Sequence, residues 1–278
     1  MKKDGTENSV VVIKISGKLL ERPYFPPLLD EIVGLHKHGN GIALVHGGGV
    51  QINKRTSEKL NTEPQFDKIT GLRCTDLETM KIVVEVIEEI NRNIVLEFCN
   101  LGLKNNVLGF GLESDLFHGK IINKCIGRYG RINVDKSNQV GVIEALKNGK
   151  IPIIAPIGKD NLGPLNLNAD DAAVCLTELV SRYGFNVSKI VLLSDTDGLY
   201  VEGRRIEKIC GICNLYLNEL SENGIVTQGM KEKIYACMLA IEMDLSTPII
   251  IANGTKENAI QNALDKNPYG TTITPPTK

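Results

Sequence analysis

Three glycine-rich turns, each directly after a run of β-branched residues, carry the first hint of chemistry: Ser16-Gly17-Lys18, His46-Gly47-Gly48-Gly49 and Ser194-Asp195-Thr196-Asp197-Gly198. Glycine at a strand-to-helix turn lets backbone N–H groups close on phosphate oxygens, and the helix that follows adds partial positive charge. One such turn reads equally well as a tight connection. Three of them at strand ends point to a single anion-binding crevice. No G-x-x-x-x-G-K-[ST] occurs, and Gly47-x-Gly49-x-x-Ile52 lacks the third glycine of the dinucleotide fingerprint, so neither a P-loop nor an NAD site is indicated.

Charged residues in unusual places sharpen that picture. Lys14 interrupts an apolar run, Val12-Ile13 before it and Ile15 after it. It is either a snorkelling lysine on an edge strand or an ammonium aimed at the ligand of the neighbouring turns. In Asn166-Leu-Asn168-Ala-Asp170, two amides and a carboxylate meet the start of an apolar helix, where Asp170 either belongs to the cap or orients a lysine. Thr227-Gln-Gly-Met-Lys-Glu-Lys233 places cations in the first turns of a helix, against its dipole, which suits a bound anion. Arg73, just ahead of another helix, is a surface arginine or a bidentate clamp for a carboxylate. No HExxH motif and no Ser/His/Asp or Cys/His arrangement appears, and the four histidines are too dispersed for a metal cluster.

The elements that must position these residues alternate strand and helix. Strands are expected at Val10–Ser16, Gly41–His46, Asn106–Phe110, Ile151–Ala155, Lys189–Ser194 and Pro248–Ala252. Between the first two lies a helix beginning near Pro27, with an apolar stripe of Leu28, Leu29, Ile32, Val33 and Leu35. Thr75-Asp-Leu-Glu78 reads as a capping box opening a long helix to about Cys99, closed by Asn100-Leu-Gly102. Further helices are expected near Asp135–Asn148, Ala169–Tyr183, Gly229–Glu242 and Lys256–Leu264. Such alternation argues for a mostly parallel sheet covered on both faces, with ligands at the carboxyl ends of its strands.

Composition sets the outer bounds. The 278 residues are 42% apolar and 23% charged, which excludes a disordered or collagen-like chain. Thirty-two Lys and Arg balance 33 Asp and Glu, leaving no bulk attraction for nucleic acid or an anionic membrane. No apolar window approaches the roughly 20 residues that cross a bilayer, and the polar first ten residues carry no leader-like stretch, so a cytoplasmic protein is expected. Seven cysteines, an odd number, suit free thiols in a reducing compartment, and Cys210-Gly-Ile-Cys213 lacks the second ligand pair of a zinc site.

In their order along the chain these motifs resemble the amino-acid kinase family. The resemblance spans nearly the whole chain and rests on Ile13-Lys-Ile-Ser-Gly17, Val45-His-Gly-Gly-Gly49, Thr70-Gly-Leu-Arg-Cys-Thr-Asp76, Asn166-Leu-Asn-Ala-Asp170, Leu193-Ser-Asp-Thr-Asp-Gly198 and Gly229-Met-Lys-Glu-Lys233. Thr-Gly-Leu-Arg before a helix, together with Asn-x-Asn-Ala-Asp, is similar to the acylglutamate branch. The resemblance implies a three-layer α/β/α sandwich with a mostly parallel central sheet. Residues 1–180 would form an acyl-amino-acid-binding lobe and 181–278 an ATP-binding lobe on one continuous sheet. It also implies ATP-dependent phosphorylation of the γ-carboxylate of N-acetyl-L-glutamate. Lys14 and Lys233 would stabilise the phosphoryl group in transfer, oriented by Asp170. Gly17, Gly48 and Gly49 would supply N–H donors. Arg73 would hold the acceptor's α-carboxylate, and Asn166 and Asn168 its acyl end. Asp195, Thr196, Asp197, Gly198, Thr227 and Gly229 would line the nucleotide site, with Mg2+ riding on the phosphates rather than on protein ligands.

A carboxylate acceptor is already ionised at neutral pH, since a side-chain carboxyl in water titrates near ~4.3, so the absence of a His or Cys base agrees with this chemistry. Three rivals stand beside it. A related acid such as a carrier-linked aminoadipate is one acceptor, and free glutamate, as in glutamate 5-kinase, is another. The third is a non-catalytic ligand-binding regulator on the same fold. The departures are Ser16, where the family's first strand often ends in a second glycine, Lys18, Gln228, and the basic run Ile126-Gly-Arg-Tyr-Gly-Arg131. With only about nine residues ahead of the first strand, the resemblance implies a homodimer insensitive to arginine.

Overall fold

The apolar run Val10-Val-Val-Ile can be buried on both faces only in the middle of a sheet, and that is where it lies. The computed structural model describes residues 9–68, 70–201, 203–210 and 228–274. Strand β1 (Ser9–Ile15) pairs in parallel with β2 (Gly41–His46) on one side and β9 (Asn186–Ser194) on the other. The sheet extends outward through β6 (Ile151–Ile154) to the edge strand β3 (Val107–Phe110). On the other flank it continues through β13 (Ile249–Asn253) and β14 (Thr271–Thr274) to β12 (Lys208–Cys210). The order of the eight strands is β12-β14-β13-β9-β1-β2-β6-β3, and only the β13–β14 pairing is antiparallel.

Helices cover both faces, so the three-layer α/β/α expectation holds. On one face Val10, Val12, Val45 and Leu192 pack against α4 (Val140–Lys147), α5 (Ala169–Ser181) and α6 (Gln228–Glu242). On the other, Ile13, Ile15, Leu44 and Val191 pack against α1 (Phe25–Lys37), α3 (Leu77–Phe98) and α7 (Ala259–Leu264). The period-two alternation of β1 therefore carries Lys14 onto the face of Val10 and Val12, beneath α5 and α6. By the same alternation, His46 falls on the α3 face.

Several local expectations shift. The cap of α3 is Asp76, whose carboxylate accepts from the Thr79 N–H at 2.7 Å, one residue after the expected Thr75. Thr75 is instead fully buried, its backbone bonded to Ile126 and Arg128. The helix expected over 135–148 is a 3-10 turn, Val134–Lys136, followed by α4. The one expected from Lys256 begins at Ala259, because Asn258 takes a left-handed conformation (φ 53°) and Thr255 bonds the Asn253 side chain instead. Several features were not anticipated, strands β12 and β14 of the main sheet among them. Helix α2 (Gly49–Leu60) follows the second glycine turn. A second sheet in the order β4-β5-β8-β7 is built from Gly119–Ile121, Tyr129–Ile132, Gly163–Leu167 and Ile157–Asp160, and a short antiparallel pair joins β10 (Tyr200–Val201) to β11 (Arg204–Arg205).

Candidate active site

The carboxyl ends of β1, β2 and β9 open into a cleft of about 490 Å³. Its floor is an ion cluster. Lys14 Nζ stands 2.7 Å from Asp170 Oδ1, and Lys233 Nζ 3.3 Å from Asp170 Oδ2. The two lysine side chains are 7% exposed and Asp170 1%. β1 is a central strand, so a snorkelling edge lysine is ruled out. Burial pulls the Lys14 ammonium below its usual pKa, opposed by Asp170. Burial also pushes against the Asp170 carboxylate, but the two ammonium groups outweigh it and hold Asp170 below the usual carboxylate range. One buried anion thus holds two ammonium groups in place, and the cluster keeps a net positive charge.

Asp170 owes its position to its neighbour. Asn168 is the cap of α5, its Oδ1 accepting from the N–H groups of Asp170 at 2.7 Å and Asp171 at 3.0 Å. The capping role considered for Asp170 therefore belongs to Asn168. The Asn168 side chain also bonds Tyr129 and Glu232.

Above the floor, the glycine turns supply the walls. A Cβ on Gly47 would lie 2.7 Å from the Gly17 nitrogen, and one on Gly17 3.1 Å from the Gly48 nitrogen. Only glycines let these two turns pack this closely along the cleft wall. Gly48 is the cap of α2, so the unpaired N–H groups of the first helical turn add to this anion-attracting wall.

Arg73 closes the opposite side. It is 8% exposed, donates from Nη2 to the Gly49 carbonyl at 3.2 Å and lies 5.0 Å from the Phe66 ring centroid. Burial lowers its pKa, though a guanidinium stays charged at any physiological pH. Its Nη1 is buried with no hydrogen-bond partner among the described residues, as is Ser16 Oγ. Buried donors without partners in a cleft wall are groups that a ligand would satisfy. Asn166 lies alongside, its amide bonded at 3.2 Å to the Thr75 hydroxyl, which in turn donates to the Arg73 carbonyl.

The cleft brings together Lys14, Gly17, Gly48, Gly49, Arg73, Asn166, Asn168, Asp170, Asp195, Thr196 and Lys233. Two expected nucleotide-site residues stand back from its lining. Asp197 accepts from the Asn253 side chain at 2.7 Å, and Gly198 (φ 134°) abuts Thr271, where a Cβ would meet Oγ1 at 2.6 Å. Both brace the loop that presents Asp195. Gly229 lies in the first turn of α6, while Thr227 and Cys213 fall outside the described residues.

A model of the amino acid kinase family matches residues 9–253. The chain belongs to the amino acid kinase family. It is 34% identical over 270 residues to a protein named acetylglutamate kinase from Bacillus cytotoxicus, covering 96% of this chain and 97% of that one. A protein of the same name from Methanosphaera stadtmanae is 31% identical over 283 residues, covering 96% and 91%. Among solved structures, N-acetylglutamate synthase from Neisseria gonorrhoeae, complexed with coenzyme A and N-acetyl-glutamate, superposes with a TM-score of 0.79 at 20% identity. That match covers 98% of this chain and 60% of the synthase chain, and it bears on the fold alone.

Against this family background, four cleft residues had not been assigned a role from the motifs. Ser16 and Lys18 depart from the family pattern; Lys18 bonds Asp195 at 2.5 Å, tying the first glycine turn to the third. Glu232 lies inside a recognised motif yet looks like an ordinary helix charge, and Tyr129 sits in the basic run. Burial raises the pKa of both. The basic run itself is structural at Arg128, which pairs with Asp160 at 2.7 Å and with the carbonyls of Gly163 and Pro164.

Proposed function

We propose that the protein transfers the γ-phosphoryl group of ATP to the γ-carboxylate of N-acetyl-L-glutamate, yielding N-acetyl-L-glutamyl 5-phosphate and ADP, a step of arginine biosynthesis. The observation that carries this reading is the Lys14–Asp170–Lys233 cluster on the floor of a cleft walled by backbone N–H groups. The acceptor carboxylate is ionised at neutral pH and attacks without a base. Its oxygen forms the new bond to phosphorus as the bond to the β-phosphate oxygen breaks, and the departing charge leaves on ADP. Catalysis then requires alignment and preorganised positive charge. The two ammonium groups stabilise the transferring group and its leaving oxygen, and Asp170 fixes their separation. Arg73, with Nη1 unpaired, takes the acceptor's α-carboxylate, while Asn166 and Asn168 face the acyl end.

ATP occupies the side of Asp195 and Thr196, over residues 181–278, and the acceptor that of Arg73, within 1–180. Mg2+ travels on the phosphates as part of the nucleotide substrate. Six described cysteines, all free, accord with a cytoplasmic location. Exposed Leu96, Leu101 and Leu108 beside the edge strand β3 accord with a homodimer formed there, which Leu108→Lys should convert to monomer in sedimentation. The central test incubates the protein with ATP, Mg2+ and N-acetyl-L-glutamate, free glutamate or aminoadipate derivatives, and traps acyl phosphate with hydroxylamine. Hydroxamate with N-acetyl-L-glutamate is expected. Product only with another acid would reassign the acceptor.

A further inference from the structure

Fully buried at the end of β2, His46 takes no part in the chemistry described so far. Its ring bonds on both sides. Nδ1 lies 2.9 Å from the Gly47 carbonyl oxygen, and Nε2 lies 3.2 Å from Asn91 Nδ2 on α3. The same Nδ2 is 3.0 Å from the Ile153 carbonyl oxygen of β6. A carbonyl only accepts, so this contact orients the Asn91 amide with its nitrogen toward both partners. Nε2 must then accept, and the single ring proton must sit on Nδ1, from where it donates to the Gly47 carbonyl. Burial agrees with a neutral ring, pulling the His46 pKa down to about 4.

This bond has a consequence on the far side of the peptide. In a trans peptide the C=O of one residue and the N–H of the next point in opposite directions. A Gly47 carbonyl held toward His46 therefore sends the Gly48 N–H the other way, and Gly48 lines the cleft. The Gly47 N–H is fixed separately, donating to the Ile15 carbonyl at 2.7 Å. With glycine on both sides of the bond, sterics alone do not define this peptide's rotation.

We infer that His46, held in one tautomer by Asn91, is a positioning residue that rotates the Gly47–Gly48 peptide so that the Gly48 N–H faces the transferring phosphoryl group. The inference rests on the kinase reading above. Asn91 and His46 preorganise a backbone donor whose loss costs a factor in turnover, not in folding or ground-state binding.

Two measurements test it. Nitrogen-15 spectra of histidine-labelled protein, with His46 assigned by its disappearance in His46→Asn, should show a neutral ring protonated on Nδ1 at pH 7. A proton on Nε2, or an imidazolium, overturns the inference whatever the enzyme's acceptor. For kinetics, His46→Asn keeps an N–H donor at the Nδ1 position, whereas His46→Leu keeps apolar volume without it. Asn should stay within about threefold of wild-type kcat, and Leu should fall about 100-fold with both KM values little changed, the usual effect of losing one preorganised donor. A purely space-filling role predicts the reverse order, and that order would refute the assignment. Should His46→Leu fail to fold, or the acceptor be another acid, the Gly48 amide proton decides. It should move downfield when the Mg2+ complex of a non-hydrolysable ATP analogue is added to the wild type, and no movement there overturns the proposal.

Discussion

At the scale of single residues, the site is defined by charges that burial would normally forbid. Lys14 and Lys233 survive in the interior because one carboxylate serves both, and two cations on one anion leave positive charge for the phosphoryl group. Replacing either by Met keeps length and apolar volume and leaves Asp170 one partner. Each variant should fold, with a melting temperature near wild type, while kcat falls about 10²–10³-fold. If both kept wild-type kcat, the cluster would be structural and the kinase mechanism untenable. Arg73 predicts a different signature. Its fork already spends Nη2 on Gly49 and offers Nη1 to the cleft, a geometry a point charge cannot copy. Arg73→Lys should raise the acceptor KM about tenfold or more and leave the KM for ATP unchanged; initial-rate kinetics with each substrate varied in turn would check it. These residues were legible in the sequence because a lysine in an apolar strand and lysines in the first turns of a helix conflict with local preference. Lys18 and Asp195, 177 positions apart, were readable only as separate charges, since nothing local announces their bond.

Elements were legible where they carry an apolar stripe or alternation, and obscure where they do not. Strands β1, β2 and β9 and helix α3 follow from pattern. Helix α2 buries only Ile52 and Thr56 and so shows no stripe; its start is dictated by the glycine turn rather than by its own residues. The second sheet is built from three- to five-residue strands, and its β5–β8 pairing joins segments far apart in the chain. The shift of the α3 cap is the most instructive miss, because Thr75 and Asp76 are both good caps by type. Asp76 takes the role, and the Thr75 hydroxyl joins Asn166 to the Arg73 carbonyl. The two positions should therefore separate stability from function. Asp76→Ala should lower stability by about 1 kcal/mol in urea unfolding and leave turnover intact. Thr75→Val should raise the acceptor KM, since it leaves the Asn166 amide without its acceptor. Equal effects on KM from both would show that the cap, not the hydroxyl, governs the site.

The whole molecule joins its two halves through one sheet, with the reacting groups at the seam between β1 and β9. The strand order was not legible, because it depends on pairings such as β9 with β1 that no local pattern encodes, although the mostly parallel sense of the sheet was implied by strand–helix alternation. Burial at the seam also writes the protein's pH response. His46 is neutral in the fold, with its pKa drawn down to about 4 from 6.5, while in the unfolded chain it titrates normally. Below pH 6.5 the unfolded chain takes up a proton that the fold refuses, so stability is complete above pH 6.5 and declines until about pH 4. The loss amounts to about 3 kcal/mol, at about 1.36 kcal/mol for each pH unit between the two values. Asp170, held below the usual carboxylate range, adds a further loss at still lower pH. Asp171 acts in the opposite sense: burial and the adjacent Asp170 push it up to about 7, so it removes stability as pH rises toward neutrality. A single unfolding curve therefore mixes the three. The difference between wild type and His46→Asn isolates one, because both aspartates remain in each protein. Urea unfolding from pH 4 to 7.5 should show the variant losing ground to wild type as pH rises through 4–6.5 and a constant gap above it; a gap flat across the whole range would mean that His46 is protonated as readily in the fold as outside it.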